Sequence, residues 1–98
     1  MQFTFTAETI EWRGPPPYMF LPIPPDISAQ IKSIAAELTY GWGVIPCTAT
    51  IGSTTFTTSL FPKDGAYLLP VKVAVQRAEQ IAFHQKTQAT IMLLQLTI

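Results

Sequence analysis

The sequence predicts a mainly β domain with two short helices, and three observations predict it. Apolar and polar residues alternate in Phe3–Ala7, Ile45–Ile51, Thr54–Phe61 and the C-terminal stretch, the period of a half-buried strand. Two other stretches space their apolar residues four, three and four apart: Ile27, Ile31, Ile34, Leu38 and Val71, Val75, Ala78, Ala82. That is the spacing of one helix face. Turn residues punctuate the chain at Gly52-Ser53 and at Pro62-Lys63-Asp64-Gly65. At 98 residues, one domain over residues 1–98 is expected.

The first strand puts Phe3, Phe5 and Ala7 on one face. Ile10 and Trp12 then fall in the opposite phase, which predicts a β-bulge near Glu8-Thr9. Gly14-Pro15-Pro16-Pro17 is a loop or an edge, because proline lacks an N–H to donate. Tyr18–Ile23 is a short strand. Pro24-Pro25-Asp26 opens the first helix, with proline in the first turn and a carboxylate at the positive end of the helix dipole. Gly41-Trp42-Gly43 breaks it.

Val44–Ile51 and Thr54–Phe61 form a hairpin across Gly52-Ser53, with a type I′ or II′ turn. Pro46 marks an edge or a strand switch. Ala66–Leu69 is a further strand, and Pro70 is expected to open a second helix running to about Ala82. His84-Gln85-Lys86 turns the chain into a final strand, Thr87–Ile98. Met92, Leu94, Leu96 and Ile98 face one way and Ala89, Ile91 and Leu93 the other. A strand apolar on both faces is covered twice or pairs with another chain.

The halves echo each other. Ile23-Pro24 and Leu69-Pro70 each stand before a helix, so each half reads strand, proline, helix, strand. Two such units would bury their helix faces against a shared barrel.

Composition excludes more than it assigns. Charged residues are 12% and hydrophobic residues 48%, against roughly 25% charged in an average domain. Six basic and six acidic residues balance to zero net charge, and the basic ones are scattered. A nucleic-acid binder needs a positive stripe, so nucleic acid is disfavoured. Cys47 is the only cysteine, so no intrachain disulfide forms. It lies in an alternating strand and reads as a small core residue. No signal peptide and no apolar run of about 20 residues is present. A cytoplasmic location and no membrane contact are expected.

The block from Gly41 to Glu79, GWGVIPCTATIGSTTFTTSLFPKDGAYLLPVKVAVQRAE, resembles the domain of unknown function 1905 family of bacteria. The Gly-Trp-Gly opening, the hairpin, Thr58-Ser59-Leu60-Phe61-Pro62 and Leu69-Pro70-Val71-Lys72 carry the resemblance. It implies a double-split β-barrel of two pseudo-repeats in one chain, akin to AbrB/MazE-type swapped-hairpin domains. Relatives can carry a second, YdeI/OmpD-associated domain, for which these residues leave no room. The family tends to an Arg where Gln76 stands. It also tends to Gly and Gly-Asp where this chain has Phe83-His84-Gln85-Lys86. These departures bear on any family site.

No catalytic, metal or cofactor constellation is legible, so the expectation is not an enzyme but a binding or interaction module. Its candidate ligand residues are Trp42, Ser59, Tyr67 and Lys72. Lys72, the Ser59 hydroxyl and the Tyr67 hydroxyl suit a small anion at a helix start. Trp42 is a stacking surface or the plug of a barrel end. Self-association or a protein partner would use the C-terminal strand. The alternative, a regulator-like nucleic-acid-binding domain, rests on fold analogy alone.

Overall fold

The computed structural model describes residues 2–12, 18–38 and 44–94, with the side chains of 35–38 left out. The proline loop, the Gly41-Trp42-Gly43 break, and Leu96 and Ile98 of the expected last strand lie outside the described residues. Among the described residues there are seven strands and two helices. They run β1 (Gln2–Glu8), β2 (Ile10–Trp12), β3 (Tyr18–Pro22), α1 (Pro25–Leu38), β4 (Ile45–Ile51), β5 (Thr54–Lys63), β6 (Ala66–Val71), α2 (Val73–Glu79) and β7 (Lys86–Leu93). The strands form one curled antiparallel sheet in the order β1-β7-β4-β5-β6-β3-β2. Mainly β with two helices is the class the alternation predicts. No described helix is long and apolar enough to cross a membrane.

The expected bulge at Glu8-Thr9 is instead a corner. β1 pairs with β7 and β2 with β3, so the chain changes partners at Thr9. The phase slip follows, because the two sides of the corner face different parts of the sheet. Thr9 is fully buried and its polar atoms are all engaged. Its N–H donates to the Gln85 carbonyl at 3.0 Å, and its carbonyl accepts from the His84 N–H at 2.9 Å. Its hydroxyl donates to the Ala82 carbonyl at 2.7 Å and accepts from the Gln85 N–H at 3.1 Å.

β5 turns a matching corner. It pairs with β4 as far as Leu60, then with β6 from Phe61. Leu60, like Thr9, is fully buried at the change of partner. β5 runs on through Pro62 and Lys63, so the expected four-residue turn shrinks to Asp64-Gly65. Both residues have positive φ, 51° and 81°, as a type I′ hairpin requires. At the β4–β5 hairpin Gly52 has φ 59°, the first central position of a type II′ turn.

Pro70 does not open α2. It lies inside β6, opposite Phe20. β5 accompanies β6 only to Leu68, so the far side of Pro70 carries no ladder and a missing N–H is tolerated there. α2 starts at Val73, and Gln80 ends it in the left-handed conformation, φ 53°. Ala82 is therefore outside the helix, while Ile81 folds back as a buried residue.

This also corrects the register of the echo. The strand ends that correspond are Leu21-Pro22-Ile23 and Leu69-Pro70-Val71, each followed two residues later by the start of a helix. Leu21 and Leu69 pair directly, and both are fully buried. Five residues beyond Ile23, the Ser28 hydroxyl donates to the Ile23 carbonyl at 3.1 Å. Five beyond Val71, the Gln76 amide donates to the Val71 carbonyl at 2.7 Å. Each half thus satisfies a carbonyl at or just past the end of its strand from the following helix.

The concave side of the sheet holds the core. Ile45, Cys47, Ala49 and Ile51 of β4 meet Ala89, Ile91 and Leu93 of β7, as the alternation predicts. Ile31 of α1 and Val75 of α2 complete it. α2 is fastened to the start of β5, which pairs with β4 on one side only. Lys72 Nζ donates to the Thr57 carbonyl at 3.0 Å, and Thr54 and Ser53 donate to the Glu79 carboxylate. That carboxylate lies where a β-carbon on Gly52 would sit, so a side chain there would displace Glu79, while the positive φ is what favours glycine.

Candidate functional site

The convex side divides into two surfaces of opposite chemistry. Over β1, β7, β4 and the first part of β5 it is polar. Thr4, Thr90, Thr50 and Thr55 stand in one row across the four strands. Thr4 bonds Thr90 at 2.9 Å and Thr50 bonds Thr55 at 3.0 Å. Hydroxyls paired this way are satisfied and fit the pleat.

Over the end of β5, β6, β3 and β2 the convex side is aromatic. Trp12 stands opposite Tyr18, Phe20 opposite both Ile10 and Pro70, and Phe61 opposite Leu68. Phe20 is the centre. Its ring lies 6.2 Å from that of Trp12 at 81° and 6.4 Å from that of Phe61 at 88°, both favourable edge-to-face contacts. Trp12 and Phe61 are nevertheless 41% and 44% exposed, and Tyr18 is 59% exposed. A run of large apolar groups left in water marks a binding surface.

Two cavities flank Phe20. One, of about 310 Å³, lies among Trp12, Phe20, Phe61, Pro62, Lys63 and Leu68. The Lys63 ammonium sits over the Trp12 ring, 3.6 Å from its centroid, held by the negative ring face. The other, of about 260 Å³, is lined by Tyr18, Phe20, Pro70, Val73, Lys72 and Gln76 among others. Each cavity has one lysine and no carboxylate in its wall.

The residues expected to form an anion site are placed apart. Lys72 is at the second of these cavities, exposed, as the N-cap of α2. Tyr67 is buried, and its surroundings are a third hollow of about 250 Å³ with Lys32, Pro62, Lys63, Asp64, Gly65 and Ala66. Burial pushes its hydroxyl pKa up, so it stays protonated and can donate. Ser59 is half-buried opposite Pro46 and lines none of these three cavities. Trp42 lies outside the described residues. β7 sits between β1 and β4, with Met92 and Leu94 exposed on its outer side.

Sequence reasoning missed Trp12, Phe20, Phe61 and Lys63. A signal was present: Tyr18-Met19-Phe20-Leu21-Pro22-Ile23 contains no charged residue, so a strand there is apolar on both faces. Only Met19, Leu21 and Ile23 are needed for the core.

Cys47 is fully buried, and desolvation raises its thiol to about 11, which suits packing rather than nucleophilic work. Among the described residues, no three of His, Cys, Asp and Glu gather as metal ligands. No curated protein matches the chain. The family described as Domain of unknown function (DUF1905) matches residues 5–91, nearly the whole chain, and the protein belongs to that family.

Proposed function

We propose that the protein is a non-catalytic binding module whose ligand surface is the aromatic side of the sheet. The single observation that carries this reading is the exposed Trp12–Phe20–Phe61 cluster with a cavity on either side. Keeping such rings in water forfeits burial worth about 1.5–3 kcal/mol per large side chain. Their partial stacking around Phe20 holds them ready, so a ligand spends little on ordering them. Lys63 and Lys72, one in each cavity, favour a ligand that is apolar and planar with negative charge. The module works in the reducing cytoplasm, in keeping with a free, buried cysteine. A protein partner at the C-terminal strand would meet the outward Met92 and Leu94.

We read the scaffold as a double-split β-barrel. The ends of the strand order, β1 and β2, are joined through Thr9 alone. Two long strands, β1–β2 and β5, each split between two neighbours at a buried corner. That arrangement supports a swapped-hairpin architecture of the AbrB/MazE type made from two halves of one chain.

The test is titration with 8-anilinonaphthalene-1-sulfonate, a planar apolar anion. Saturable binding should shift the Trp12 indole resonance and raise the dye fluorescence, and a Phe61→Ser variant, which keeps that resonance, should lose both. Binding that survives in this variant places the ligand elsewhere and refutes the reading.

A further inference from the structure

The hollow around Tyr67 and the aromatic cavity of Trp12 are neighbours. Pro62 and Lys63 line both. They occupy the end of β5, which is paired with β6 on one side only, so among the described residues no strand intervenes along the other side. Pro62 has no N–H to leave unpaired there. The two hollows differ in chemistry. The aromatic one has three ring systems. The other has Lys32 from α1, Lys63 from β5 and the Tyr67 phenol from β6, against a single exposed carboxylate, Asp64. Tyr67 is fixed at this place because its N–H donates to the buried Ser28 hydroxyl at 3.2 Å, and Ser28 lies one helical turn before Lys32.

We infer that the two neighbouring hollows, which meet round the open edge of β5, take a planar ring bearing a phosphate, as in a mononucleotide, with the ring among Trp12, Phe20 and Phe61 and the phosphate in the hollow of Lys32, Lys63 and Tyr67. This rests on the aromatic surface being the ligand surface and adds the class of ligand. Charge complementarity supports it: Lys32 and Lys63, from different elements, line one hollow with Tyr67, the Lys63 ammonium standing at its border over the Trp12 ring, and oxyanions favour charge-assisted contacts. Rings of any base stack on aromatic side chains without reading sequence. A free mononucleotide and the phosphorylated end of a single strand share this chemistry.

Titrations followed at the Trp12 indole resonance separate the cases. Adenosine monophosphate should bind at least about tenfold more tightly than adenosine, the effect of one charge-assisted contact. Lys32→Gln, on an exposed helix position, should erase that difference and leave adenosine binding unchanged. Tyr67→Phe should reduce it. A 5′-phosphorylated dT oligomer that outcompetes adenosine monophosphate, while its unphosphorylated form does not, identifies a strand end as the source. The reverse order identifies the free nucleotide.

Equal affinities for adenosine and its monophosphate overturn the inference, as does a Lys32→Gln variant that binds the monophosphate normally. If the naphthalene sulfonate binds at Trp12 and neither nucleoside compound does, the inference fails while the surface reading stands. If none of the three compounds moves Trp12, both fail.

Discussion

The two halves of the convex side share one sheet and one interior, yet one is a field of threonines and the other a cluster of aromatic rings. On the first, one outward row is closed within itself: Thr4 with Thr90, Thr50 with Thr55. On the second, Trp12, Tyr18 and Phe61 remain more than a third exposed. A half-buried strand needs only one apolar face. The first surface leaves Met92 and Leu94 in water as separate aliphatic groups beside the threonines, whereas the second gathers rings that contact one another around Phe20. The difference separates residues that serve the fold from residues available for a partner.

Substitutions sharpen this contrast, and the largest effect removes what both surfaces share. Leu69→Ala, beneath the aromatic side and fully buried, should cost about 2–5 kcal/mol in urea unfolding. Thr9→Val is next. It deletes the hydroxyl that joins the two surfaces at their corner and strands the Ala82 carbonyl and the Gln85 N–H, for a loss of about 1–3 kcal/mol.

Alkaline pH acts on Cys47, in β4 under the threonine side. Its folded pKa is raised to about 11 from 9.0. The unfolded thiol therefore ionises first. Stability is full below about pH 9, and between about 9 and 11 it should fall by on the order of 1.4 kcal/mol per pH unit. Cys47→Ala should remove this component of the slope. The raised Tyr67 hydroxyl adds in the same direction at higher pH, so the variant keeps a residual decline. Denaturant midpoints measured from pH 8 to 11 check both statements. The smallest effect is expected from Thr55→Val, which breaks one exposed cross-strand bond and should stay within about 0.5 kcal/mol.

Much of the fold was legible in the residues, because alternation and turn chemistry are local. The inward set Ile45, Cys47, Ala49 and Ile51 and the Gly52-Ser53 turn are read directly from the sequence. Pro70 was misread because proline suits a first helical turn and an unladdered strand position alike, and only the partner strand distinguishes them. The echo was set two residues out of register for the same reason, since Pro24 and not Pro22 was matched to Pro70. The candidate site was less legible. Lys32, Lys63 and Tyr67 come from three elements, and Phe20 meets Trp12 and Phe61 through strand pairings that no spacing along the chain encodes. Thr9 carried a phase slip, but its role as a corner depends on two different partner strands.

The most direct test compares folding and binding in one variant, Phe61→Ser. If the aromatic surface serves a ligand more than the fold, the variant loses no more than about 1.5 kcal/mol in urea unfolding, the worth of the Phe20 contact, while naphthalene sulfonate binding is lost. A variant destabilised as much as Leu69→Ala, or one that binds normally, would contradict the account.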